Sequence, residues 1–285
     1  MGNGFVFAKL LIISTSHLLC GADMFLALDV GNTNITVGLF EMDADKVLPK
    51  PQRIWRMSTT KGRTADEYAT LLMDMFYYNG FDAKKVKHVA IASVVPALNR
   101  VFEELVSKYF NKKVFFVNHI NNGGLVFKAG NPKEAGADRI ADAVASYSIY
   151  GGSCIVIDFG TATTFDCIDS KGRYLGGSIA PGPMISAQSL SLKTAQLPQV
   201  EMKKPSKSIG TTTVECIQSG LFFGYVGLIK ELIARIKKEM KVNHIIATGG
   251  LADLMISEIK EIQAVAPDLT LEGIRIIWEK RRGKK

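Results

Sequence analysis

The chain has 285 residues, of which 47% are apolar and 22% are charged, a composition that predicts a soluble globular protein of about two domains and excludes a disordered one. Part of the formal net charge of +8 lies in a solvated C-terminal tail, residues 279–285, without the interleaved aromatic residues typical of nucleic-acid binding, so we expect no nucleic-acid partner. The four cysteines form no Cys-x-x-Cys pair and the four histidines are not at metal-ligand spacing from them, which predicts reduced thiols, a cytoplasmic location and no structural zinc.

The N-terminal segment, residues 1–23, contains one apolar stretch from Phe5 to Cys20. Lys9 and His17 interrupt this stretch, and it is shorter than the ~20 residues of a membrane span. A signal peptide is also a poor fit, because positive charge is almost absent before the apolar run. We therefore expect residues 1–23 to be an extension outside the fold, and we expect no membrane partner.

Residues 26–40 predict a β-hairpin. Residues 26–28 form an apolar strand, and residues 34–39 alternate between apolar and polar or small side chains. Gly31 and Asn32 can adopt the positive backbone angles of a tight turn, which leaves Asp29 at the tip. Such a turn directs backbone N–H groups and the Thr33 hydroxyl into one concavity that suits phosphate oxygens, with Asp29 placed to hold Mg²⁺. Taken alone, such a pattern is most often only a turn, and it is not a P-loop, because no Gly-Lys-Ser/Thr follows.

The next elements predict a layered α/β domain. Thr64 caps a helix, Glu67 completes its capping box, and Asn79-Gly80 ends it. A strand at 52–58 precedes this helix, and a strand at 87–95, a helix at 98–110 and a strand at 113–118 follow it. Three strands, helix, strand, helix and strand is the order of a ribonuclease H-like domain.

Another helix begins after Gly136 and runs to Tyr150, with Asp138 and Arg139 in its first turn. The residues alone leave two interpretations of Asp138 open. An acidic residue is favoured at a helix N-terminus by the helix dipole, and the same carboxylate is also suited to acid–base chemistry.

Residues 155–166 repeat the first hairpin, with an apolar strand that leads into Asp158, Gly160 and Thr161. Strands are expected near 154–159, 163–169 and 173–179, followed by a helix from about residue 184. Two similar hairpins about half a chain apart predict a duplicated domain whose two turns face one nucleotide across a cleft. A third strand, 245–248, leads into Gly249 and Gly250, a turn suited to the close approach of an adenosine.

A long helix is expected from Thr212, again with Glu215 three residues later. Gly220, Gly224 and Gly227 lie on one face of this helix. Such a face allows another backbone to approach closely, and we interpret it as a domain or subunit contact rather than a membrane motif.

Together these segments resemble the type III pantothenate kinases, members of the acetate kinase, sugar kinase and actin superfamily. The resemblance runs from about Met24 to the C-terminus and rests on seven segments: residues 29–36, 63–68, Asn131-Pro132, Gly136–Ile140, 158–164, 174–182 and 213–215. It implies an α/β fold of duplicated ribonuclease H-like (actin-like ATPase) domains, 24–130 and 131–285, with a nucleotide cleft between them. It also implies a homodimer that phosphorylates pantothenate with ATP, Mg²⁺ and a monovalent cation, K⁺ or NH₄⁺, in the first step of coenzyme A biosynthesis.

Phosphoryl transfer requires donors to the phosphates, a metal ion and a base that orients the acceptor hydroxyl. The predicted nucleotide residues are Asp29 (also the Mg²⁺ ligand), Val30, Gly31, Asn32, Thr33, Asn34, Ile35, Thr36, Thr161, Gly249 and Gly250. The resemblance favours Asp138 as catalytic base, and the predicted substrate residues are Gly136, Ala137, Asp138, Arg139 and Thr213. Only the resemblance assigns Asp158 to the monovalent cation and Thr213 to a pocket completed across a dimer.

One segment departs from the family pattern. Ala129 and Gly130 stand where the family usually has Tyr and Asp before Asn-Pro, which predicts a looser acceptor pocket. Two alternatives to the pantothenate kinase remain: another kinase or phosphatase of the same superfamily, and a non-catalytic transcriptional accessory factor. The Gly-Ala-Asp-Arg segment disfavours the first, and the intact Asp29, Asp138 and Asp158 disfavour the second.

Overall fold

A computed structural model describes residues 22–44, 46–128 and 130–282 of the chain. Most of the predicted N-terminal extension, residues 1–21, lies outside the described residues, and so does Ala129. The described part contains two six-stranded sheets with helices between and around them.

The first sheet comes from the N-terminal half of the chain. β1 and β2 form the predicted antiparallel hairpin, and β5 and β6 extend the sheet in parallel to β1, so that the carboxyl ends of β1, β5 and β6 meet at one edge. β4 and the short β3 both pair with β2 on its other side. The strands are β1 Asp23–Val30, β2 Asn34–Asp43, β3 Lys46–Val47, β4 Arg53–Ser58, β5 Val86–Ser93 and β6 Val114–Phe116.

The second sheet repeats this arrangement. β8, β9 and β10 are antiparallel in succession, and β11 and β12 continue the sheet in parallel to β8. The strands are β7 Val126–Phe127, β8 Cys154–Phe159, β9 Ala162–Ile168, β10 Arg173–Pro181, β11 His244–Thr248 and β12 Ala264–Val265. Each sheet thus sets three antiparallel strands beside two parallel ones in the same order, and the chain has the predicted α/β fold of duplicated ribonuclease H-like domains.

The helices are α1 Ala65–Tyr78, α2 Pro96–Leu105, α3 Ala137–Tyr150, α4 Pro183–Lys193, α5 Thr213–Glu239, α6 Ala252–Ile256 and α7 Leu269–Arg282. Both predicted capping boxes are confirmed. Thr64 Oγ1 accepts a hydrogen bond from the Glu67 N–H at 3.3 Å, and Thr212 Oγ1 accepts one from the Glu215 N–H at 3.2 Å.

The first hairpin differs from its prediction in two details. Gly31 and Asn32 do not take positive φ angles. The Gly31 N–H instead donates to the Asn34 carbonyl at 3.0 Å, and a Cβ on Gly31 would lie 3.0 Å from that oxygen, so the turn needs glycine for close approach and not for its backbone angle. Asp29 lies inside the ladder, paired with Thr36, and not at the tip.

Two helices also differ from expectation. α2 begins at Pro96, two residues early, because the fixed φ of proline and its missing N–H suit the first helical position. A π-helical turn, Val106–Phe110, then follows it. The segment 279–282, expected in a solvated tail, forms the end of α7.

α3 and α7 lie between the two sheets and share one apolar core with both of them. Gly273 of α7 packs so closely on the Ala141 backbone of α3 that any side chain there would overlap it. Members of this core from both sheets and both helices include Phe25, Phe40, Ile140, Val144, Val156, Ile246, Ile274 and Ile277. Because both sheets pack on it, α3 is held with its N-terminal turn near the two hairpins.

α5 covers the outer face of the second sheet, with Phe222, Ile229 and Ile233 in a second apolar core. On its exposed side, a Cβ at Gly220, Gly224 or Gly227 would meet no heavy atom within 4 Å. Within the described ranges, α5 is the one helix long and apolar enough to cross a membrane, a test that buried core helices also pass.

Candidate active site

The turn between β1 and β2 projects from the carboxyl edge of the first sheet. Thr59 supports it from the neighbouring segment, because its hydroxyl donates to the Gly31 carbonyl at 2.7 Å and its N–H donates to the Thr33 carbonyl at 2.9 Å. Residues 32–34 are exposed, whereas the Val30 and Ile35 side chains are buried. The exposed part of this turn is therefore available to a ligand while its base is fixed in the core.

The turn between β8 and β9 faces the first turn. Thr161 Oγ1 lies 2.8 Å from Thr33 Oγ1, which joins the two predicted phosphate turns directly by a hydrogen bond. The Gly160 N–H donates to the Ala162 carbonyl, and the Gly182 N–H donates to the Thr161 carbonyl, both at 3.1 Å. The two hairpins thus meet as the duplicated pattern predicts.

Gly249 and Gly250 follow β11, whose last residue, Thr248, pairs with Asp158 of β8. Gly249 has a φ of 87°, and a Cβ there would overlap the Asp158 carboxylate and the Phe159 backbone. The space around the Cβ position of Gly250 is open. The third predicted segment therefore lies against Asp158, next to the second turn.

The first turn of α3 carries Asp138 and Arg139. Gly136 is the N-cap residue and contributes no side-chain cap, while Oδ1 of Asp138 accepts a hydrogen bond from the Arg139 N–H at 2.7 Å. A Cβ on Gly136 would overlap the same carboxylate. Asp138 is therefore bonded to the backbone of its own helix turn.

Asp29, Asp138 and Asp158 interact electrostatically as one partly buried group. Burial, followed by the Asp138 and Asp158 carboxylates, raises the pKa of Asp29 well above its usual range. Burial, followed by Asp138 and Asp166, raises the pKa of Asp158 to about 7. Burial also raises the pKa of Asp138, although the hydrogen bond from the Arg139 N–H lowers it in part. Carboxylates that raise one another's pKa in this way would be stabilised by a bound cation.

The oxygen atoms of this group suit Mg²⁺ and K⁺ chemically, as both are hard cations. Among the described residues, no three His, Cys, Asp or Glu side chains are arranged to hold one metal ion together. A Mg²⁺ bound by Asp29 would therefore take most of its ligands from phosphate oxygens and water, as Mg²⁺ commonly does in phosphoryl-transfer sites.

Two buried acidic residues next to the site are absent from the sequence-based prediction. Asp166 is fully buried and bonded to both Arg139 and Tyr174. Asp142, one turn after Asp138 on α3, accepts a hydrogen bond from the Thr270 hydroxyl at 2.8 Å. An acidic residue within an apolar strand or helix pattern could have identified both Asp166 and Asp142, because a buried acid needs a polar partner.

Thr213 is the one predicted site residue that no hydrogen bond or strand pairing links to the segments around Asp29, Asp138 and Asp158 among the described residues. It is exposed in the first turn of α5, and no hydrogen bond among the described residues joins it to the other predicted residues.

A cavity of about 310 Å³ opens beside the start of α3. Its lining comes from the carboxyl ends of β5 and β6, the start of α2 and the segment 133–137. Gly136 and Ala137, two predicted substrate residues, form part of its wall. A larger cavity, about 400 Å³, is lined by residues 50–54, Asp268 and Glu272 and contains none of the predicted site residues.

Comparison with known proteins identifies the same family that the sequence motifs resemble. The family model described as type III pantothenate kinase matches residues 25–235. The type III pantothenate kinase of Endomicrobium trichonymphae is 71% identical over 257 residues, which cover 90% of this chain and 99% of that protein. The type III pantothenate kinase of Geobacter sulfurreducens is 45% identical over 260 residues, or 91% of this chain and 100% of that protein.

Two solved structures share the fold at low identity. A Campylobacter jejuni protein described as a Baf family transcriptional activator is 20% identical with a TM-score of 0.55, covering 90% of this chain and 99% of that chain. The activator of 2-hydroxyisocaproyl-CoA dehydratase from Clostridium difficile, solved with bound ADPNP, is 12% identical with a TM-score of 0.51, covering 92% of this chain and 97% of that chain. Because the family model spans most of the chain and the named relatives match over nearly their full length, the chain belongs to the type III pantothenate kinase family.

Proposed function

We propose that this protein transfers the γ-phosphoryl group of ATP to the primary hydroxyl of pantothenate, forming 4′-phosphopantothenate in the first step of coenzyme A biosynthesis. Family membership supports the reaction. The observation that carries the proposal at the site is the meeting of the two phosphate turns, Thr33 Oγ1 to Thr161 Oγ1 at 2.8 Å, at the ends of the hairpins that carry Asp29 and Asp158.

The nucleotide lies, in this proposal, between the two turns. Residues 30–36 and Thr161 bind its phosphates through backbone N–H groups and hydroxyls, and Gly249 with Gly250 flank the adenosine. Asp29 would hold Mg²⁺, and this ion would neutralise part of the phosphate charge during transfer. Asp158 holds the monovalent cation, and the like-charged carboxylates around it support that assignment.

The acceptor occupies the cavity beside α3. Asp138 takes the proton of the acceptor hydroxyl while the hydroxyl oxygen bonds to the γ-phosphorus. The bond between the γ-phosphorus and the β-phosphate oxygen breaks at the same step, which releases ADP. Arg139 binds the carboxylate at the other end of pantothenate, because a guanidinium matches a carboxylate in charge and shape. Gly136 and Ala137 form the wall of the cavity.

A second copy of the chain completes the site. The glycine face of α5 is exposed, and so are apolar side chains of α4, α5 and the segment between them, including Ile185, Leu192, Ile209 and Val214. A homodimer formed through this face would cover these side chains and would bring Thr213 to the partner's acceptor. Such a dimer agrees with the exposure of Thr213, which makes no hydrogen bond to the site residues of its own chain among the described residues.

We further place the domain boundary near residue 130 and the protein in the cytoplasm, without a nucleic-acid or membrane partner. The three described cysteines, Cys154, Cys167 and Cys216, are free thiols, and burial raises the pKa of Cys154 to about 11 and that of Cys167 to about 12. Free thiols agree with a reducing compartment.

The test is one assay with purified protein, ATP, Mg²⁺ and K⁺ against a panel of acceptors that contains pantothenate, hexoses and polyphosphate. We expect phosphorylation of pantothenate alone, and loss of turnover when K⁺ is replaced by Na⁺. Phosphorylation of a sugar alone would identify another kinase of the superfamily. Binding of duplex DNA at physiological salt without any turnover would identify a regulator instead.

A further inference from the structure

The Arg139 guanidinium is held by a buried acid that does not itself take part in the proposed reaction. Nε of Arg139 donates to Oδ1 of Asp166 at 2.7 Å. The Asp166 side chain is fully buried, and that of Arg139 is 16% exposed. Burial raises the pKa of Asp166 to about 6, and Arg139 and then Tyr174 lower it, so the carboxylate is charged at neutral pH. Solvent therefore competes little for this ion pair, unlike one on the surface.

Tyr174 holds the same carboxylate and the same guanidinium. Its hydroxyl donates to Oδ1 of Asp166 at 2.7 Å. Cζ of Arg139 lies 5.9 Å from the centroid of the Tyr174 ring, within the range of a cation–π contact. Phe127 in turn packs edge-on against Tyr174 with the ring centroids 5.5 Å apart. One hydrogen bond and one ring thus restrain both the position and the plane of the guanidinium.

This restraint uses one of the five N–H donors of the guanidinium. Among the described residues, no hydrogen bond is made by the two terminal nitrogens of Arg139. Nη2 lies 3.1 Å from the position that a Cβ on Gly177 would take, so a side chain at residue 177 would press on the guanidinium. A planar fork with both terminal nitrogens available is the geometry that binds a carboxylate through two parallel hydrogen bonds.

We propose that Asp166 and Tyr174 are positioning residues that orient Arg139 toward the acceptor carboxylate and thereby set the preference for an anionic acceptor over a neutral one. The inference rests on the proposed pantothenate kinase activity. An arginine side chain loses much rotational freedom when it binds a ligand, and an arginine that is already fixed avoids most of that loss. The preference for the carboxylate therefore depends on residues that do not touch the substrate.

The experiment compares pantothenate with pantothenyl alcohol, its neutral analogue, by kcat and KM. The variants are Asp166→Asn, which keeps size and removes the charge, and Tyr174→Phe, which keeps the ring and removes the hydroxyl. Asp169→Asn is the matched control, because Asp169 accepts from Nε of Arg173 at 2.6 Å in the same β9–β10 hairpin and does not contact Arg139.

In Asp166→Asn we expect KM for pantothenate to rise about 10- to 100-fold, as when a hydrogen bond to a charged group is lost, with kcat and KM for ATP within about threefold. KM for pantothenyl alcohol should change little, so the selectivity ratio of the two acceptors falls by the same factor. Tyr174→Phe should show a smaller fall in the same direction, and Asp169→Asn none.

An unchanged selectivity ratio, or an equal loss of kcat/KM with both acceptors, would overturn the inference and assign the pair a structural role only. If Asp166→Asn does not fold, the ratio in Tyr174→Phe decides by the same criteria. Wild-type protein that phosphorylates neither acceptor would instead contradict the proposed function, which separates the two failures.

Discussion

Thr33 and Thr161, which are 128 residues apart in the chain, share a hydrogen bond of 2.8 Å between their hydroxyls. Each lies on the exposed turn of one of the two duplicated hairpins, and no other hydrogen bond joins these two turns among the described residues. A phosphate group that enters between the turns would replace this contact with two hydroxyl contacts of its own.

We therefore expect Thr161→Val to raise KM for ATP about 10-fold or more, because a hydrogen bond to a charged group is worth about 1.5–3 kcal/mol. Thr163→Val is the control, since the Thr163 hydroxyl is buried two residues away in β9 without a hydrogen-bond partner among the described residues. Steady-state kinetics with varied ATP measure both. Equal KM values for ATP in the two variants would show that Thr161 does not bind the phosphates.

Asp138→Asn tests the catalytic base. Asparagine keeps the size of the side chain but cannot take the proton, so kcat should fall about 10²- to 10⁴-fold while KM for ATP changes little. Asp142→Asn is the matched control, because Asp142 is a buried acid one turn later on α3, where burial raises its pKa well above the usual range and its carboxylate accepts a hydrogen bond from Thr270. If Asp138→Asn retains kcat within about threefold of wild type, Asp138 is only a helix-start residue.

Gly249→Ala should destabilise the fold and the nucleotide site together. The new Cβ would overlap Asp158 and Phe159 at a φ of 87°, and such backbone strain alone costs about 1–3 kcal/mol. Gly250→Ala should stay within about 0.5 kcal/mol, since its Cβ position is open. Urea unfolding measures the stability of each variant, and a titration with ADP measures its nucleotide site. Equal stability of the two variants would contradict the packing described.

The stability of the cation-free protein should fall as pH rises from about 4 to 7. The pKa of Asp158 is about 7 in the fold against 3.8 in the unfolded chain, so the folded state binds the extra proton in this window and loses that advantage as pH rises through 7. Thermal unfolding with chelator in a buffer free of K⁺ measures the slope, and Asp158→Asn should make it shallower. Added K⁺ should raise Tm more at pH 8 than at pH 5, and a pH-independent K⁺ effect would place the cation elsewhere.

Gly224→Leu tests the α5 face. A large side chain at the centre of the glycine face should prevent the proposed dimer from forming, and turnover should fall with assembly because Thr213 would then not reach the partner's site. Lys237→Leu, an exposed change in the last turn of the same helix, is the control. Sedimentation velocity and turnover are the measurements, and a fully active monomer would refute the shared site.

Local sequence patterns were enough to predict the duplicated fold and the main segments of the site. The two Asp-x-Gly hairpins, the capping boxes at Thr64 and Thr212, and the strand before Gly249 depend on local propensity and periodicity, which short stretches of residues encode. The segments around Asp29, Asp138 and Asp158 also carried enough specificity to predict the family that the comparisons then confirmed.

The contacts through which these segments meet could not be predicted from the sequence, because they depend on packing between distant parts of the chain. The packing of α3 and α7 between the sheets places Asp138 beside Asp29 and Asp158, and the raised pKa values follow from burial there. The partners of Arg139 likewise became visible only in the fold, because Asp166 and Tyr174 reach it across two strands and a helix. Propensity acts over a few residues, whereas burial and ion pairing depend on contacts between residues that are distant in the chain.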